Sequence, residues 1–131
     1  MLHKLALKAM KNAYAPYSNF RVGVAIKSSN GKFYMGCNVE NSAYPQSLCA
    51  EAGAISSMVA GGCNLISEVL VVSDCDKVIV PCGGCRQKLL EFSNQNTRVF
   101  LATVSSVDKI LFLKDLLPLA FDNSFLNELG G

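Results

Sequence analysis

Histidine is almost missing from this chain: His3, near the N-terminus, is the only one in 131 residues. Its scarcity excludes a Ser-His-Asp relay and a histidine-rich zinc site in the core, so proton transfer must use another group. His3 itself reads as a surface residue. Charge is sparse as well, at 17% of residues with a net +2. Without a dense basic stripe the chain lacks the electrostatic footprint of a polynucleotide binder. No apolar run is long enough to cross a bilayer. In "MLHKLALKAMKNAY", Leu2, Leu5, Ala6, Ala9, Met10 and Ala13 recur at helical spacing, but Lys4, Lys8 and Lys11 interrupt any signal-peptide core. The expectation is a cytoplasmic protein with no membrane partner. Internal repeats, linkers and low-complexity segments are missing too. Half the residues are hydrophobic, which argues against disorder and for a single domain over 1–131.

What is present reads as interleaved helices and strands. The first helix should end near Tyr14, before the turn at Pro16. "NFRVGVAIKSSNGKFYMGCNVEN" suggests a hairpin around Asn30-Gly31. Leu48 to Ala60 has helical character, and "LISEVLVVS" is apolar enough for a strand covered on both faces. A helix over about Gly84 to Ser93 follows, then strands in "TRVFLATV" and "SVDKILFL". A short helix halted by Pro118 and a last helical turn or two in "NSFLNELGG" complete the chain. The order implies an α/β fold, a three-layer α/β/α sandwich with one mixed central sheet.

Six cysteines stand at 37, 49, 63, 75, 82 and 85. Without a secretion signal they read as reduced thiols or metal ligands. Cys82 and Cys85, in "VPCGGCRQ", can converge on one ion where the chain turns into a helix. Cys49, opening another helix, adds a third soft ligand, and Zn²⁺ is the natural occupant. Three protein ligands leave the fourth tetrahedral position open, as in catalytic zinc sites. Glu51, in "LCAEAGAI", then has a reason to sit in an apolar run, as a general acid/base beside the metal. Three thiolates leave Zn²⁺ with excess negative charge, which two helix N-termini would offset. Gly83 and Gly84 would let the backbone turn closely round the ion. Cys37, Cys63 and Cys75 have no defined role.

A Cys-x-Glu followed by Pro-Cys-x-x-Cys resembles the signature of zinc-dependent nucleobase deaminases. With "AYAPYSNFRVG", "GCNVENSAYP", "PCGGCRQ" and "LLPLAF", the chain resembles the small homotetrameric cytidine deaminases from about Ala13 to Phe121. The resemblance implies a cytidine deaminase-like fold and hydrolytic deamination of cytidine and deoxycytidine in pyrimidine salvage. It implies zinc on Cys49, Cys82 and Cys85, with Glu51 moving protons between the attacking water, ring N3 and the leaving amino group. It further assigns ribose hydroxyls to Asn38 and Glu40, which two residues apart on a strand share a face. Phe20 would line the pyrimidine pocket, and the Ala50 backbone would meet the base. Tyr44 would lie near the sugar and subunit contacts, and Phe121 would reach a neighbouring subunit's site.

One position departs from the pattern. Many three-cysteine members carry arginine after the catalytic glutamate, where this chain has Ala52. Arg86 and the helix termini are then the expected compensation for thiolate charge. Two rivals remain at this point. One is a deaminase of nucleoside antibiotics of the blasticidin S type, and the other is a structural zinc or thiol-redox protein without catalysis.

Overall fold

The structure, a computed structural model, describes the backbone of residues 1–130 and the side chains of residues 1–126. Helix α1 (Leu2–Lys11) precedes strands β1 (Val22–Ser28) and β2 (Phe33–Cys37) and a single 3-10 turn at Tyr44–Gln46. Then come α2 (Ala50–Ala60), β3 (Ile66–Ser73), α3 (Gly83–Glu91), β4 (Arg98–Ala102), β5 (Val107–Phe112), α4 (Leu113–Leu116) and α5 (Asn123–Gly130). The helical turn expected in "NSFLNELGG" is therefore seen, except at Gly131, which lies outside the described residues.

The five strands form one sheet in the order β2-β1-β3-β4-β5. Only β3 and β4 run parallel, joined through α3, so the sheet is mixed as expected. Alternation along the strands sorts side chains between two helical layers. Val24, Ile26, Val69, Val71, Val99 and Leu101 pack with Ala54, Ile55 and Met58 of α2 and Leu89 of α3. On the opposite face Ala25, Leu70, Val72 and Ala102 pack with Ala6 and Met10 of α1. Two glycines let the helices sit directly on strand backbone. A Cβ at Gly23 would fall 2.0 Å from the Ala6 carbonyl oxygen, and one at Gly36 would fall 2.3 Å from the Ala54 nitrogen.

The hairpin lies where Asn30-Gly31 places it, with four residues, Ser29 to Lys32, between the strands. Gly31 adopts φ +85° and its N–H donates to the Ser28 carbonyl at 2.9 Å, while the Ser28 N–H donates to Lys32. This is a turn closed by a left-handed glycine bulge.

Three expectations need correction. Helix α1 stops at Lys11, not Tyr14, because the Tyr14 backbone is recruited into a bridge beside Val39, donating to Asn38 and accepting from Glu40. Helix α2 starts at Ala50, since Leu48 exchanges backbone hydrogen bonds with Val39 at 2.8 and 2.9 Å. His3 is half-buried, its Nε2 within 2.8 Å of the Thr103 carbonyl, so it ties α1 to the end of β4.

Candidate active site

Helices α2 and α3 present their N-termini to one cavity of about 300 Å³. Cys49 is the N-cap of α2 and Cys82 the N-cap of α3, both in extended backbone, and Cys85 lies in the first turn of α3. The three Sγ atoms all lie within 4.8 Å of one another. Tetrahedral zinc with Zn–S bonds of about 2.3 Å holds its sulfurs roughly 3.8 Å apart, so small adjustments close such a site. An all-sulfur set of three fits zinc with a fourth position left open. Cys85 is buried whereas Cys49 and Cys82 are exposed, so the cluster is reached from one side.

Ionisation of the thiols reflects their neighbours. The Cys82 thiol is drawn below its ordinary value, first by the Cys85 amide, although no side-chain cap hydrogen bond closes at either helix. Cys85 is pushed far up, first by burial, then by the negative charge of Glu51 and by the Cys49 thiol. A sulfur buried against a carboxylate, as Cys85 is, becomes a comfortable anion only beside a cation.

Glu51 occupies the first turn of α2 and is 5% exposed. Burial raises its carboxyl above the ordinary value, opposed by its own amide, the Cys85 thiol and the charge of Lys88. The Lys88 ammonium folds back along α3, within 4.0 Å of where a Gly84 Cβ would stand. Neither Gly83 nor Gly84 needs a left-handed backbone, and a Cβ at Gly83 would meet nothing within 4 Å. The turn into α3 is thus compatible with larger residues as far as the chain's own atoms are concerned.

Arg86 points elsewhere. Its Nε donates to the Pro81 carbonyl at 2.8 Å and its Nη1 to Leu116 at 2.9 Å, bracing the loop before α3 against α4. Its backbone N–H donates to the Cys82 carbonyl at 2.9 Å, but among the described residues no hydrogen bond joins its guanidinium to a cysteine thiol, which leaves the helix N-termini facing the thiols.

Phe20, Asn38, Glu40 and Ala50 line the same cavity as Glu51 and the cysteines. Asn38 and Glu40 lie past the end of β2, in the segment that bridges Tyr14 and Leu48, and are not strand residues. Their side chains hold the preceding loop. Asn38 Oδ1 accepts from the Val22 N–H and its Nδ2 donates to the Phe20 carbonyl, each at 2.8 Å. Glu40 Oε1 accepts from the amides of Tyr17 and Ser18 at 2.9 and 3.1 Å.

Tyr44 and Phe121 are not brought into this cavity. Tyr44 lines an adjoining groove of about 320 Å³ with Tyr17, Ser18, Glu40 and Ser47, its ring edge-on to Tyr17 at 6.0 Å. Phe121 stacks on Phe125 with ring centroids 5.3 Å apart, and its carbonyl accepts from Gln87 Nε2 at 2.9 Å. Sequence reasoning passed over Ser47, Leu48, Ile79 and Val80, which also line the cavity. Ile79 and Val80 were legible as the apolar residues just before the Pro-Cys pair.

Residues 1–102 match the family described as cytidine and deoxycytidylate deaminase zinc-binding region. The chain belongs to this deaminase family. It is 44% identical to a cytidine deaminase of Mycoplasma genitalium over 116 residues, covering 88% of each chain. A cytidine deaminase of Sporosarcina psychrophila is 39% identical over 120 residues, 92% of this chain and 88% of the relative. Among solved structures, the cytidine deaminase of Burkholderia pseudomallei superposes with a TM-score of 0.86 at 39% identity, covering 92% of this chain and 96% of that one. These deaminase relatives favour neither the antibiotic-type reading nor the structural-zinc reading.

Proposed function

We propose that this chain is a zinc-dependent hydrolase, a single catalytic domain that converts cytidine and deoxycytidine to the uracil nucleosides with release of ammonia. The observation that carries the proposal is one cavity containing three converging thiols, a buried carboxyl, and the Phe20, Asn38 and Glu40 side chains. Cys49, Cys82 and Cys85 would hold the metal. When bound, zinc supplies the Lewis acidity that makes a hydroxide equivalent available at neutral pH.

Glu51 moves the protons. Its carboxylate accepts one from the attacking water, delivers it to ring N3, and serves the departing amino group at C4. A buried carboxyl suits both tasks, because burial brings its protonated and ionised forms closer in free energy at neutral pH. Phe20 packs on the pyrimidine, the Ala50 backbone meets its polar edge, and Asn38 and Glu40 take the sugar hydroxyls with the hydrogen-bonding capacity that the loop leaves free.

The same reading places the reaction in pyrimidine salvage in the cytoplasm and the chain in a homotetramer with shared sites. Support for assembly comes from apolar side chains presented to solvent near the cavity mouth and in the C-terminal segment. Leu119 is fully exposed, Tyr44 is 71% and Phe121 58% exposed. The test is conversion of cytidine to uridine by zinc-loaded and chelator-stripped protein, with Glu51→Gln alongside. Zinc-dependent conversion, and a Glu51→Gln protein that keeps zinc but loses at least about a thousandfold in kcat, are expected. Full activity in that variant would remove Glu51 from its role.

A further inference from the structure

Ser18 lies outside the cavity, behind Glu40, in the groove that also contains Tyr17 and Tyr44. Its hydroxyl has two partners. It accepts the Phe20 N–H at 3.0 Å and donates to Glu40 Oε2. The first contact fixes the direction of the second: an oxygen that receives the Phe20 amide has its single proton free for the carboxylate. The residue between, Asn19, holds φ +58°, a left-handed conformation that asparagine tolerates better than most residues, and its N–H is tied to the Ala15 carbonyl at 2.9 Å. Ser18 is therefore presented to Glu40 by a tight turn fastened at both ends.

A carboxylate offers about four acceptor positions. The amides of Tyr17 and Ser18 fill both on Oε1, and the Ser18 hydroxyl fills one on Oε2. One remains. We propose that Ser18 is a positioning residue that aims Glu40 and leaves it a single acceptor site, so that Glu40 reads one sugar hydroxyl and not a bidentate diol. The inference rests on the reading of Glu40 as a sugar ligand. Ionisation of Glu40 agrees with it, since the Ser18 hydroxyl, ahead of the amides of Ser18 and Tyr17, holds its carboxyl below the ordinary value. Recognition by one hydroxyl also explains how one site accepts ribose and deoxyribose alike.

The experiment compares kcat/KM for cytidine with that for 2',3'-dideoxycytidine, which offers Glu40 no ring hydroxyl. It uses zinc-loaded wild type, Ser18→Ala, Ser18→Thr and Glu40→Gln. Ser18→Ala is expected to lower the cytidine preference about tenfold, as for loss of one charge-assisted hydrogen bond, mostly through KM. Ser18→Thr, which keeps the hydroxyl, should restore it. Should Ser18→Ala fold poorly, Ser18→Cys keeps the volume with only a weak donor and should show the same loss. Equal losses on both substrates would assign Ser18 an ordinary structural role and overturn the inference. An unchanged preference in Ser18→Ala alongside a collapsed one in Glu40→Gln would overturn it too. If Glu40→Gln also left the preference intact, the sugar-binding reading of Glu40 itself would fall.

Discussion

Glu51 concentrates the conflict between stability and chemistry in one side chain. Its carboxyl is raised by burial, so the folded state of the metal-free protein favours the neutral form. For a folded-state pKa above the unfolded one, the stabilising contribution is complete below the unfolded value and is lost as pH rises through the folded value. Zinc-free wild type should therefore lose stability relative to zinc-free Glu51→Gln as pH rises above the ordinary carboxylate value of about 4. Thermal unfolding in chelator should show the variant melting a few degrees higher at pH 8, with the gap closing near pH 4. An equal gap at both pH values would mean that burial of charge is not the cause. At this scale the convergence of the three cysteines and the burial of Glu51 in the same cavity were legible, because thiol spacing and a carboxylate in an apolar run are local signals. The bonds from Asn38 and Glu40 to the Tyr17–Val22 loop were not, since they join residues 16 to 23 positions apart.

Among the elements, α2 is the helix whose close seating on the sheet bears most directly on the site. Its backbone rests on β2 at Gly36, where a Cβ would meet Ala54 and the Ala50 carbonyl at 2.3 and 2.7 Å. Backbone cannot step aside as a flexible side chain can, so Gly36→Ala should destabilise the protein by about 1–3 kcal/mol. Because Ala50 opens the turn that carries Cys49 and Glu51, the same variant should also bind zinc more weakly. Urea unfolding, together with zinc retention on dialysis, measures both effects. A Gly36→Ala protein as stable as wild type would show that α2 can lift off the strand at little cost. The helices and strands themselves followed from apolar periodicity and turn residues. Their ends did not, because Tyr14 and Leu48 leave helical geometry to pair with Val39, a partner that no local pattern announces. The single turn at Tyr44–Gln46 escaped for a related reason, being too short to have a period.

At the scale of the whole molecule, the C-terminal segment is the part least explained by its own chain. Leu119 adopts φ +53° and is wholly exposed, and Phe121 leans on Phe125 away from the cavity. If assembly covers this segment, sedimentation of wild type should give about four times the 14.1 kDa chain mass. Leu119→Asp should then shift the population toward smaller species, with activity falling in parallel. A monomer with full activity would refute shared sites.

The two helices that carry the sulfurs reach the site from opposite sides of the chain's order, α2 before β3 and α3 after it, and each begins at a ligand. An ion shared between them would act as a rivet. It would join the first turns of two helices that already share a core, so metal binding would add directly to the stability of the fold. Amide exchange should report this directly. On zinc loading, protection should rise in the first turns of α2 and α3 together and remain nearly constant in β5. For a cell short of zinc, such a rivet would make the protein shorter-lived as well as less active, with starvation for the metal registered as turnover.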